Sequence, residues 1–136
     1  MATVTTTNNF TRTFRDLDLA FEVHPVRKDV NKHLSEYAVI NSVKNLVLTN
    51  HYERPFQPEL GSNIRRLLFE NIDSVIAAQI EREIVETISN FEPRVQVSRA
   101  TAVASPDENR YNVELEFFII NNPNPVTINF FLERIR

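Results

Sequence analysis

The sequence predicts an α+β domain in which two or three helices pack on one face of a small antiparallel sheet. Apolar residues recur every three or four positions between Tyr37 and Ile88, and they alternate with polar residues after Pro93. No internal repeat and no Gly/Ser linker divides the 136 residues, a length at which one domain can bury roughly two-thirds of its unfolded surface. The expected organisation is a flexible N-terminal arm at residues 1–13 and a single domain at 14–136.

The arm is rich in Thr and Asn and has too little apolar surface to order itself. In LDLAFEV, Leu17, Leu19, Phe21 and Val23 alternate, which predicts a short half-buried strand ended by Pro25. Ser35 is a candidate N-cap for a first amphipathic helix, about Glu36 to Thr49, with Tyr37, Ile40, Val43 and Val47 on its stripe. A second helical region follows Gly61 with Ile64, Leu67 and Leu68. It restarts at Asp73 or Ser74 into Ile76, Ile80, Ile84 and Ile88. Spacing of four drifts slowly round a helix, so this stripe should meet more than one neighbour. Val95, Val97 and Val103 indicate a strand, Tyr111 to Ile119 a second, and Val126 to Leu132 a third. SPDEN and NNPNP are the turns of this meander. Phe118, Ile120 and Phe131 fall on its otherwise polar face, as second-face packing or as a docking surface.

Composition narrows the function. Hydrophobic residues at 42% and charged residues at 24% match globular usage, and no apolar run approaches the ~20 residues of a membrane helix. The N-terminus lacks the basic-then-apolar layout of a signal peptide. With no cysteine there is neither a disulfide framework nor a thiolate metal site. A net charge of −3 argues against a broad grip on nucleic acid. His24, His33 and His51 lack the spacing of a zinc site, and one glycine cannot build the phosphate or oxyanion cradles of common nucleotide enzymes and hydrolases. No cofactor or metal is expected. Glu70, Glu81, Glu86 and Glu92 could supply a glycosidase acid and base if two stood ~5 to 9 Å apart across a cleft. Helix-surface charge is the simpler reading of Glu81, Arg82, Glu83 and Glu86, which lie off the isoleucine stripe.

Two stretches ask for more. In RPFQPELG, Pro55 and Pro58 stiffen what reads as an extended loop from Arg54, with Phe56 as an apolar plug and Gly61 free to take a positive φ. In NFEPR, Pro93 fixes a helix exit and sets Glu92 and Arg94 two residues apart. There they can bind one partner or knit the local structure.

RPFQPELG, the LLFE-containing helix and NFEPR, in that order and followed by the strands, resemble the small baseplate wedge protein of contractile phage tails. This is the phage T4 gene product 25 family, with relatives in type VI secretion baseplates and phage-tail-like bacteriocins. The resemblance spans Val39 to Leu132. It implies a non-enzymatic virion protein of the tail baseplate, assembled in the host cytoplasm as part of an injection machine. Implied partners are other baseplate wedge subunits and the tail sheath protein, with tail tube or hub-proximal proteins as further candidates, and neither nucleic acid nor membrane. The sheath would start on it by strand exchange at an open sheet edge. Pro55, Phe56, Pro58 and Gly61 match the family's loop, and Glu92, Pro93 and Arg94 match its acid-proline-arginine motif, associated there with wedge contacts. The accepting edge is expected at Val126, Ile128, Phe130 and Leu132, with Leu17 to Val23 as its rival. A peptidoglycan-cleaving glycosidase is the alternative function.

Overall fold

The structure is a computed structural model and describes residues 15–17, 32–34 and 36–135. Two short strands, β1 (Arg15–Leu17) and β2 (Lys32–Leu34), pair antiparallel. Three helices follow: α1 (Glu36–Leu48), the single turn α2 (Ile64–Leu67) and the long α3 (Ser74–Phe91). The chain then runs through β3 (Val95–Ser105), β4 (Arg110–Ile119) and β5 (Pro125–Glu133) as an antiparallel meander with β4 in the centre. The α+β architecture is the one expected. Beyond Leu17, the strand expected to end at Val23 lies outside the described residues, as do the arm and the Ser35 cap.

The isoleucine stripe forms one wall of the core. Ile80, Ile84 and Ile88 are fully buried, and α3 touches α1, α2 and β3, as the drifting stripe requires. Asp73 caps the helix by accepting from the Ser74 N–H at 2.6 Å. Opposite stand Tyr111, Val113, Leu115, Phe117 and Ile119 of β4, every second residue of a strand with one buried face. Val39, Val43 and Val47 of α1 complete the layer. Asn109 and Asn121, both at positive φ, close the turns before β4 and after it, where asparagine tolerates the left-handed region.

Val103 departs from the pattern. Its strand has a bulge between Val97 and Arg99, so residue parity reverses along it. Val95 faces the core at one end and Ala102 at the other, leaving Val103 56% exposed.

Candidate functional site

The sequence directs attention to three places: the loop before α2, the α3 exit and the edges of the sheet.

The loop is not extended. Tyr52 N–H donates to Pro58 O at 2.8 Å, Gln57 N–H to Arg54 O at 3.2 Å and Leu60 N–H to Gln57 O at 3.1 Å, so Arg54 to Leu60 fold into successive tight turns. Phe56 is no plug, because it stands at the tip with 98% of its surface exposed. The two prolines set φ for turns rather than for an extended run. Anchoring falls instead to the base. Ser62 N–H donates to Thr49 O at 2.8 Å, His51 N–H to Ser62 O at 3.3 Å, and the buried Ser62 hydroxyl to Val47 O at 2.7 Å, capping the end of α1. Gly61 makes this closure possible. Its φ is +126°, and a Cβ there would lie 2.6 Å from Thr49 O. Phe56→Ser is therefore expected to leave the melting temperature within about 2 °C of the parent, because no packed surface is lost. A larger drop in a thermal melt would place Phe56 in the core.

At the α3 exit the carboxylate of Glu92 is 4% exposed and held by three donors. Arg94 Nε and Nη2 reach its two oxygens at 2.6 and 2.7 Å, a bidentate fork, and the Ser42 hydroxyl of α1 donates at 2.6 Å. Burial alone pushes this carboxyl up. The hydrogen bonds from Arg94 and Ser42 and the arginine charge outweigh it, so the group titrates below its ordinary 4.5. Of the two roles open for the motif, knitting the local structure is the one Glu92 performs, tying α3's end to α1. Pro93 is exposed and the Arg94 side chain is 27% exposed.

Val126, Ile128 and Leu132 turn their side chains into the core, with Phe130 half-buried beside them. What β5 offers outward is backbone. Arg134 N–H donates to Asn109 O at 3.0 Å, which fixes the alternation of the ladder in register with Tyr111↔Leu132 and Val113↔Phe130. Residues 126, 128, 130 and 132 thus spend their backbone groups on β4, while those of Thr127, Asn129, Phe131 and Glu133 point away from it. Among the described residues no hydrogen bond meets that outward row until Ile135, whose N–H donates to Leu68 O at 3.0 Å just past the end of β5.

The opposite edge differs. On β3, Ala102 N–H donates to the Glu81 carboxylate at 2.7 Å and Val95 N–H to Glu92 O at 3.2 Å, with α3 packed alongside. Glu81 therefore covers a strand edge rather than only keeping a helix solvated, and its neighbour Glu83 accepts from Asn63 N–H at 2.7 Å at the start of α2. Periodicity places both residues off the apolar stripe and cannot show that their carboxylates reach backbone donors about twenty residues away in sequence.

Two of the four candidate glutamates are committed to structure. Glu81 and Glu92 are engaged as described, and a carboxyl held below its ordinary value is the opposite of a general acid. Among the described residues no three His, Asp or Glu side chains converge where a metal ion could sit, and no helix is long and apolar enough to cross a membrane. His51 holds its ring nitrogen 3.1 Å from Glu59 O within the loop.

The family model for baseplate wedge protein gp25 matches residues 34–124. The baseplate wedge protein gp25 of Enterobacteria phage T4 is 30% identical over 118 residues, which span 87% of this chain and 89% of the phage protein. A chain of the anti-feeding prophage baseplate superposes with a TM-score of 0.71 at 22% identity, covering 82% of this chain and 90% of its own. For a chain of the post-contraction R2 pyocin baseplate the TM-score is 0.61 at 21% identity, over 78% of this chain and 98% of that one. A protein of Geobacter sulfurreducens described as a tail lysozyme gives 0.67 at 23% identity, over 74% and 92%. These three likenesses establish a shared fold.

Proposed function

Since the chain belongs to the baseplate wedge protein gp25 family, and is thereby a structural component of a contractile-tail baseplate, we propose that it starts the tail sheath by lending β5 to a strand of the first sheath subunits while other wedge subunits hold it in place. The observation that carries this reading is the contrast between the two sheet edges. β3 has Glu81 and α3 against it, whereas among the described residues nothing hydrogen-bonds to the outward row of β5 from Thr127 to Glu133. An edge of this kind gives an incoming strand affinity through main-chain hydrogen bonds. Val126, Ile128, Phe130 and Leu132 support that edge from beneath rather than touching the partner first. At the α3 exit, Pro93 and the exposed part of Arg94 form the surface a wedge subunit contacts, and Glu92 sets the direction of the arginine from inside. The loop from Arg54 to Gly61 fixes how α1 and α2 enter the core. Assembly takes place in the cytoplasm of the host.

The test uses a proline on the edge. Asn129 directs its N–H away from β4, so Asn129→Pro removes a donor the fold does not use and leaves the preceding residue in the extended region it already occupies. Tagged native chain, co-expressed with the wedge and sheath proteins of its own tail, should retain both. Asn129→Pro, with its melting temperature close to the parent's, should retain the wedge proteins and lose most of the sheath. Sheath retention equal to the native level, or no sheath on the native chain, would overturn the proposal.

A further inference from the structure

Beside the C-terminal end of β5 lies a cleft of about 190 Å³, lined by Val47 and Leu48 of α1, Ile64, Leu68 and Leu132, with Asn50 and Arg65 also on its wall. Five of its seven lining residues are aliphatic. Four of the five apolar residues belong to the core, but Leu48, at the last position of α1, is 60% exposed. An apolar side chain in that position has found only half of its packing.

The cleft and the bare edge share a strand. Leu132 is buried on the helix side of the sheet and spends its backbone groups on β4, so in a strand added antiparallel the residue lying opposite it forms a non-hydrogen-bonded pair. Side chains of such pairs approach most closely and point to the same face. That face is the one on which Leu48, Ile64 and Leu68 stand. A space of this size holds one large aliphatic or aromatic side chain, since a smaller apolar cavity of ~150 Å³ admits a benzene ring.

Resting on the reading that β5 accepts a sheath strand, we infer that this cleft is a socket for one large apolar side chain of that strand, the residue opposite Leu132, and that it fixes the register of addition. Main-chain hydrogen bonds along an edge are nearly indifferent to a shift of two residues, because such a shift preserves both the bonding pattern and the face. A single side chain that fits one cleft removes the degeneracy. The occupant is leucine, isoleucine, methionine or phenylalanine in a strand that otherwise alternates; a charged residue in that position would be buried without a partner.

Leu48→Gln and Leu48→Met separate the possibilities, since both are unbranched chains of similar length to each other, one polar and one apolar, and act at an exposed site. Purified native, Gln and Met chains are immobilised and challenged with the sheath protein of the same tail, and retained sheath is measured per tagged chain beside melting temperature and retained wedge protein. Leu48→Gln should hold sheath on the order of tenfold more weakly, as loss of one buried apolar contact implies, while Leu48→Met stays near native and all three keep the wedge proteins. Equal retention by Leu48→Gln and the native chain, with Asn129→Pro still losing sheath, would overturn the socket and leave strand addition standing. A native chain that retains no sheath would overturn both.

Discussion

Gly61→Ala is expected to destabilise the protein by about 2–5 kcal/mol, lowering the melting temperature by roughly 10 °C or more. Two costs add. At φ +126° an L-residue is strained wherever it is placed, and the new methyl would sit 2.6 Å from Thr49 O and 2.9 Å from the Asn50 carbonyl carbon. These are backbone atoms that cannot rotate aside. Moving them would lengthen the bond from Ser62 N–H to Thr49 O and displace Ser62, whose hydroxyl caps α1 through Val47 O. A flexible loop would absorb such a change; this one joins two helices across a parallel bridge between Asn50 and Ser62. A melting temperature within about 2 °C of the parent would show that the closure tolerates a side chain.

Glu92→Ala should cost about 3 kcal/mol, the lower end for breaking a buried ion pair because Arg94 keeps some access to water. The loss reaches beyond Arg94, since the Ser42 hydroxyl on α1 also loses its acceptor. The pH dependence follows from the direction of the shift. A carboxyl whose folded pKa lies below its unfolded value binds fewer protons when folded than when unfolded. Its contribution to stability is therefore complete above about pH 4.5 and is lost as the pH falls through the folded value. Denaturant unfolding of the native chain and of Glu92→Gln should give a stability gap that is flat at neutral pH and narrows below pH 4.5. A gap that stays constant down to pH 3 would show that the fold does not hold the Glu92 carboxyl below its ordinary value.

The fold was legible because its signals are periodic and local. Ile76 to Ile88 could only be a helix stripe, and Tyr111 to Ile119 only a strand with one wet face. The reversal of β3 was not legible. Val97-Ser98-Arg99-Ala100 contains no glycine or proline to mark a bulge, and parity alone carries Val103 to the wrong face. Phe56 misled for a related reason: an apolar residue between prolines looks like a plug when the turns that lift it outward depend on bonds between Tyr52 and Pro58. At the site, NFEPR stood out as a pair of opposite charges near a proline, but nothing local reveals Ser42, fifty residues earlier, as the third member. The difference between the sheet's edges rests on Glu81 meeting Ala102, a contact that exists only once α3 has folded back over β3.

That difference sets a valence. In the language of polymer chemistry a sheet with two reactive edges is bifunctional and can link its neighbours into an endless ribbon, whereas one with an edge interrupted at Ala102 by Glu81 tends toward a monofunctional molecule. On the proposed strand addition, such a unit would initiate a chain without extending one. Each copy would accept a single strand, and the number of growing ends would then equal the number of copies fixed in the baseplate.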